Sequence, residues 1–428
     1  MPSLQQIKML YKSQSVRSMG MYTFSNFFSK AVSFLLLFVF TNPAYISPSE
    51  NGMLSLFSNS MLFLMPFLAM GIVHSVSAEY FKLDDREFRS LFSTSLIMPL
   101  VVMAGSIIFL FLVRGKLYES YGFPTSFVWL IPVVTFLIFI NEQLLSMARN
   151  NLQPQLYLKA NMGKTILELG LSFILVVYFA WRWEGRVAGI LAAYGILGLY
   201  ALYYFKQKGY LFGKIQKKYI RSELIYAIPI MALQASIFTM NSSDKFFLSH
   251  ATNDNNATVG VYSIACIFAS IINVLSMALL QHIFPSIYRV LSGEHINYKF
   301  IRRQFVVYIS VLTIGLISLI AVMPVIYDYF INEKYHEALE YSYLLCIGVY
   351  LWALSYFFYS FLLYYKEKRK LLFLSLICIA ISLACNYYFI NRWQAMGAAA
   401  SSVSIYALVL VIALAFTRKY WKPLWTKS

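Results

Sequence analysis

The chain has 428 residues, of which 60% are hydrophobic and only 12% charged, with a net charge of +17. That balance excludes an ordinary globular surface and makes lipid the solvent of most of the chain. The four cysteines, Cys266, Cys346, Cys378 and Cys385, fall in apolar segments without a CxxC pair, which argues against a disulfide framework or a zinc site.

A membrane span needs about 20 apolar residues. In chain order the sequence offers twelve such stretches: 20–41, 53–77, 90–113, 125–147, 162–181, 186–205, 224–248, 258–284, 304–327, 340–364, 371–390 and 395–417. The polar, basic first 18 residues precede a full-length apolar run rather than a short one with a cleavage site, so no signal peptide is read. The connections are too short to hold a soluble domain. Many of the 33 tyrosines and 7 tryptophans close apolar runs, where amphipathic rings favour the headgroup zone.

Lys and Arg set the orientation. The N-terminus (Lys8, Lys12, Arg17), the even-numbered connections and the C-terminus hold 26 of the 35 basic residues, against six in the odd-numbered connections. This alternation places both termini in the cytoplasm. The positive charge is therefore a topology signal against an anionic leaflet, not a nucleic-acid surface.

The chain also repeats itself. Tyr178-Phe179-Ala180-Trp181-Arg182-Trp183 returns 210 residues later as Tyr388-Phe389-Ile390-Asn391-Arg392-Trp393. Ser172 and Ser382 share that offset; Gly52 and Gly260, Ser55 and Ser263, Tyr80 and Tyr288, and His74 and His282 share one of 208. The expected organisation is a six-helix bundle over 1–205, a basic cytoplasmic linker over 206–221 and a second six-helix bundle over 222–428. An even number of spans per half makes the repeats parallel, about an axis along the membrane normal. Val187-Ala188-Gly189 and Gly397-Ala398-Ala399 follow the two copies of the motif and predict close helix packing.

Ionisable residues inside the spans are costly and ask for a reason. Lys30 lies near the middle of the first span, one turn after Asn26 and bordered by Ser25 and Ser29, so it is a candidate for holding an anionic headgroup. Glu142, after Asn141 in the fourth span, could carry a proton or hold a coupling cation. Lys164 and Glu168 are four residues apart in the fifth span and can pair, with Glu168 the deeper coupling candidate. His74 and His282 could titrate near neutrality, although a lone His near a span end is more often neutral and hydrogen-bonded. Arg182 and Arg392 read as interface anchors beside Trp183 and Trp393. No GxxxxGK[ST], HExxH or GxSxG motif occurs, so no ATP hydrolysis or other enzyme chemistry is expected.

The seventh span carries Asn241-Ser242-Ser243-Asp244-Lys245, and Val259-Gly260-Val261-Tyr262-Ser263 opens the eighth. With Pro43, Pro48 and Glu50-Asn51-Gly52 before the second span, this resembles the polysaccharide-export branch of the MOP superfamily, the Wzx-type O-antigen flippases. The resemblance implies an all-α polytopic protein of two bundles in a MATE-like V around a central cavity. It implies transfer of an undecaprenyl-pyrophosphate-linked oligosaccharide, for O-antigen and lipopolysaccharide or a related polymer, across the bacterial inner membrane. No cofactor beyond a coupling H+ or Na+ is implied; the partners would be membrane lipids, a polysaccharide polymerase and chain-length machinery. Asn26, Lys30, Asn241, Asp244 and Lys245 become the substrate candidates. The alternative is a drug antiporter of the MATE branch, whose usual acidic residue in the first span is absent here. Lipid II flippases of the superfamily usually carry two further spans.

Overall fold

The computed structural model describes residues 14–252, 254–293 and 296–426; Lys8, Lys12 and Lys427 of the charge pattern lie outside them. The described residues form helices and turns, with no strand. In order they are α1 (Gln14–Phe40), α2 (Pro48–Ala69), α3 (Ile72–Glu79), α4 (Asp85–Ser95), α5 (Ile97–Tyr121), α6 (Leu130–Asn150), α7 (Pro154–Phe173), α8 (Arg182–Gln207), α9 (Lys217–Ser242), α10 (Asp244–Ala251), α11 (Ala257–Leu291), α12 (Tyr298–Phe330), α13 (Ala338–Tyr364), α14 (Lys368–Trp421) and α15 (Pro423–Thr426).

Local chemistry sets the ends and breaks. Asp84 caps α4 by accepting from the Glu87 amide at 2.7 Å, and Asn297 caps α12 by accepting from that of Phe300 at 2.9 Å. Pro154 opens α7, where the missing N–H costs nothing. The second span is interrupted between α2 and α3, where Met70 (φ 48°) and Gly71 (φ 68°) are both left-handed. A π-helical turn, Ile174–Tyr178, ends the fifth span. The first copy of the repeated motif then turns sharply, with left-handed Ala180 and Arg182, while the second leads to Gln394 (φ 46°, ψ −122°), which breaks α14. Arg392 lies over the Tyr388 ring at 4.9 Å, as an interfacial cation on an aromatic face.

Among the described residues ten helices are long and apolar enough to cross a membrane. The longest stretch, Arg369–Trp421, holds both of the last two expected spans, 371–390 and 395–417, as two helical segments that meet at the Gln394 kink. The seventh expected span, 224–248, is covered by α9 and α10. Its apolar run contains Gln234 and ends in Asn241-Ser242-Ser243-Asp244-Lys245, and the helix is interrupted at Ser243 between α9 and α10.

The chain forms two compact units. One comprises the described residues of Met1–Ile46, Ser60–Glu119 and Phe123–Met231; the other comprises Ser47–Asn59, Ser120–Gly122 and the described residues of Ala232–Ser428. The first unit is cored by Ile72 and Val76 of α3, Phe92 of α4, Leu144 and Met147 of α6 and Phe205 of α8. In the second, Ile283 and Ile287 of α11 pack with Tyr308 and Leu312 of α12 and Phe357 and Phe361 of α13. Elsewhere apolar side chains such as Ile108 and Leu112 of α5 and Ile314 and Ile317 of α12 stay exposed, which lipid tolerates and water would not.

Within the second unit, residues matched by the repeat touch each other. Ser263 Oγ donates to Ser55 Oγ at 2.6 Å. One turn before each serine the two backbones meet: a Cβ on Gly52 would lie 1.9 Å from the Asn256 carbonyl oxygen, and one on Gly260 1.9 Å from that of Pro48. Gly52→Ala or Gly260→Ala is expected to cost about 1–3 kcal/mol through backbone overpacking, read as a lower thermal midpoint of the purified protein. Gly105→Ala, with no atom within 4 Å of the new Cβ, is the control that should not lower it. The small residues after each motif act similarly: a Cβ on Gly189 would meet Ser172 Oγ at 2.3 Å, and one on Gly397 the Phe389 carbonyl oxygen at 2.1 Å.

Candidate functional site

Each unit contains a polar seam inside the apolar helices. In the first unit it runs between α1 and α7. Asn161 Nδ2 donates to Ser25 Oγ at 3.0 Å and to Asn26 Oδ1 at 3.2 Å; Tyr157 Oη donates to Asn26 Oδ1 at 3.1 Å; Thr165 Oγ1 donates to Ser29 Oγ at 2.8 Å. These pairings hold the polar face of α1 that the sequence marks. Lys30 follows Ser29 on that helix, is exposed and makes no hydrogen bond or ion pair with a described residue.

Deeper along α7 the seam becomes ionic. Glu168 Oε1 accepts from Arg186 Nη2 at 2.9 Å, and Lys164 Nζ lies 3.9 Å from Glu168 Oε2. Arg186 Nη1 also donates to Ser172 Oγ at 2.8 Å, and its guanidinium lies 5.5 Å from the centre of the Phe40 ring. Lys164 Nζ donates to Tyr194 Oη at 3.4 Å. All three charged side chains are largely buried. The Lys164–Glu168 spacing places the two on one face as expected; Arg186, read from the sequence as a connection charge, is the closer partner.

The repeat does not reproduce this cluster. At the 210 offset Lys164, Glu168 and Arg186 correspond to Leu374, Cys378 and Met396, and the hydroxyl of Ser382, mate of Ser172, is buried without a partner. The second unit builds a different seam around the break between α9 and α10. Tyr262 Oη donates to Asp244 Oδ2 at 2.5 Å, joining the two parts of the sequence motif. Asp244 opens α10, where the helix dipole favours a carboxylate, and Oδ1 accepts the Lys245 amide at 2.9 Å. Although adjacent on the helix, Lys245 and Asp244 approach to 3.9 Å, both buried. Asn386 Nδ2 donates to Ser243 Oγ at 2.9 Å, Ser401 Oγ to Asn386 Oδ1 at 2.6 Å, and Tyr406 Oη to Asn241 Oδ1 at 2.7 Å.

Of the remaining candidates, Glu142, His74 and His282 are exposed, and their side chains take part in no hydrogen bond or ion pair with a described residue. Asn141, beside Glu142, is buried and donates to the carbonyls of Leu137 at 2.8 Å and Tyr194 at 3.2 Å. Among the described residues no group of three His, Cys, Asp or Glu side chains could hold a metal ion. Unforeseen participants are Arg186, Asn161, Thr165, Asn386 and Tyr406. The polar ones share a visible signal, an amide or hydroxyl inside an apolar run.

The helical architecture and its polar seams define a class: a polytopic helical membrane protein with the fold of the MATE transporters and MurJ. It aligns with an inward-facing multidrug resistance MATE family transporter of the MOP superfamily at a TM-score of 0.74 and 15% identity, covering 92% of this chain and 96% of that one. It aligns with the lipid II flippase MurJ in an inward closed conformation at 0.75 and 12% identity, covering 94% and 89%. A MOP superfamily transporter from Pyrococcus furiosus aligns at 0.58 and 14%, covering 96% and 95%. At these identities the likeness establishes the fold. No curated protein sequence matches the chain. The family described as polysaccharide biosynthesis protein matches residues 15–291, well over half the chain, and the chain belongs to that family.

Proposed function

We propose that this transporter moves a polyprenyl-pyrophosphate-linked oligosaccharide, an O-antigen or related repeat unit, from the cytoplasmic to the periplasmic leaflet of the bacterial inner membrane. Its termini lie in the cytoplasm, and a polymerase and chain-length machinery act on the product. The observation carrying this reading is Lys30: a cation in the first span with no described partner, beside the polar face made by Ser25, Asn26 and Ser29, in a chain of the polysaccharide biosynthesis family. An uncompensated cation at that depth is costly unless it meets an anion during function. A pyrophosphate diester supplies one, and the sugars find hydroxyl and amide partners along Asn26, Asn241, Asp244 and Lys245. The lipid tail stays in the bilayer. Transport is driven by an H+ or Na+ gradient, with Glu142, His74 and His282 as coupling groups, while Glu168, nominated with them by the sequence, serves chiefly to pair Arg186 at 2.9 Å.

Deletion of the gene in its native host is expected to remove surface polysaccharide and leave the lipid-linked unit in the membrane, with restoration by the wild-type chain. Unchanged polysaccharide together with greater sensitivity to toxic cations would instead favour the antiporter reading, which rests on the equally good structural match to a MATE transporter.

A further inference from the structure

Glu223 is a carboxylate for which the transport reading has so far found no use. It stands near the start of α9, just ahead of the expected span at 224, and is only 4% exposed. Ser75 of α3 donates to its Oε1 at 2.8 Å. Its Oε2 is buried with no hydrogen-bond partner among the described residues. No cation pairs with it among the described residues. The charged groups around it are otherwise engaged or of the wrong sign. Lys218 lies over the Tyr219 ring at 4.6 Å and faces Glu87 of α4 at 3.6 Å. Glu79, one turn beyond Ser75 on α3, is paired with Lys82 at 2.8 Å and adds negative potential. His74 and Arg221 are exposed.

A carboxylate enclosed this way is stabilised by taking a proton, since burial and a like charge both penalise the ionised form. Burial, then Glu79, push the Glu223 carboxyl up to about 7, while the Ser75 hydroxyl pulls in the opposite direction. The surroundings are built to move. α3 is a separate eight-residue helix, set off from α2 by the left-handed Met70–Gly71 pair. It meets α9 at the Ser75–Glu223 bond and at Gly71, where a Cβ would lie 2.8 Å from Ile230 Cδ1. α9 itself is divided at Met231, its first part belonging to one compact unit and the rest to the other.

We infer that Glu223 is a proton-binding site that latches α3 to the start of α9: protonated, it holds the contact; ionised, it releases it. The sign follows from linkage. The closed contact raises the pKa, so it is fully stable below the ordinary carboxyl pKa and is weakened as pH rises towards about 7. Resting on the transport reading only in this final step, Glu223 is then a coupling group of the transporter, binding the proton whose release opens this end of α9.

Both tests use the purified full chain in lipid nanodiscs without substrate, so their failure is separate from failure of the transport reading. Infrared difference spectra between about pH 5 and pH 8 should show a protonated carboxyl titrating in wild type and missing in Glu223→Gln. Ser75→Ala should move its midpoint up and Glu79→Gln should move it down, an opposed pair that also serves if Glu223→Gln fails to fold. Spin labels replacing the exposed His74 and Arg221 should separate as pH rises in the wild-type background and stay fixed with Glu223→Gln. The proposal is overturned if no carboxyl titrates in that range, if Ser75→Ala and Glu79→Gln leave the midpoint in place, or if the label separation changes equally with and without Glu223.

Discussion

Lys30→Ala is expected to cut surface polysaccharide at least about tenfold, a loss of some ~1.4 kcal/mol or more of productive interaction, while the protein stays in the membrane at its normal level. The second half follows from the geometry. Lys30 makes no hydrogen bond or ion pair with a described residue, so its removal leaves no buried group without a partner. The ammonium is itself a burden at that depth, so the alanine variant should fold at least as well. The first half follows from the proposed role, since the headgroup loses its uncompensated cation. Lys30→Arg keeps the charge but replaces a compact ammonium with a planar fork, and should retain part of the activity. Immunoblots of membranes beside polysaccharide gels read both quantities. Normal polysaccharide in Lys30→Ala would remove the residue from the pathway.

Glu168→Gln should act in the opposite manner, mainly on the fold. The carboxylate sits between Arg186 at 2.9 Å and Lys164 at 3.9 Å. Neutralising it leaves two largely buried cations facing each other, and breaking a buried pair from one side costs about 3–5 kcal/mol. We expect little folded protein from the single variant and recovery in Glu168→Gln with Arg186→Met. The repeat already places Met396 at the position matching Arg186, so an apolar side chain is compatible with this type of helix seam. A coupling role for Glu168 predicts differently: the single variant would remain folded and transport would lose its dependence on the gradient. Membrane yield and gradient-driven transport, measured on the same preparations, separate the two.

Much of the molecule is legible in the order of its residues. Apolar runs of span length, alternating Lys and Arg, and the Tyr-Phe-x-x-Arg-Trp repeat point to a polytopic helical membrane protein without a coordinate. The offset that pairs Gly52 with Gly260 and Ser55 with Ser263 even names residues that touch. Such features are local or periodic: a span depends on the transfer energy of consecutive residues, and a duplication preserves spacing. Where the apolar signal is diluted, the reading is less complete. Polar residues 241–245 interrupt the seventh span, and the joint between the last two is a kink at one residue, Gln394 (φ 46°), with no connecting loop.

The compensation of each charge is a different kind of information. Arg186 lies 18 residues from Glu168, across a π turn and the left-handed Ala180 and Arg182, so only the folded turn brings the guanidinium back along α7. Glu223 stands in the sequence just past the basic linker of 206–221, with nothing nearby to mark it; it becomes a buried acid because α9 packs over Gly71 and over Ser75, 148 residues earlier. By itself the sequence determined the solvent of this protein, its apolar runs and its duplication, because hydropathy and spacing are properties of neighbours along the chain. Only the tertiary structure decided which intramembrane charges are neutralised and which stand free, because electrostatic partners are chosen by distance in space, and a helical turn can bring near what the chain keeps far apart.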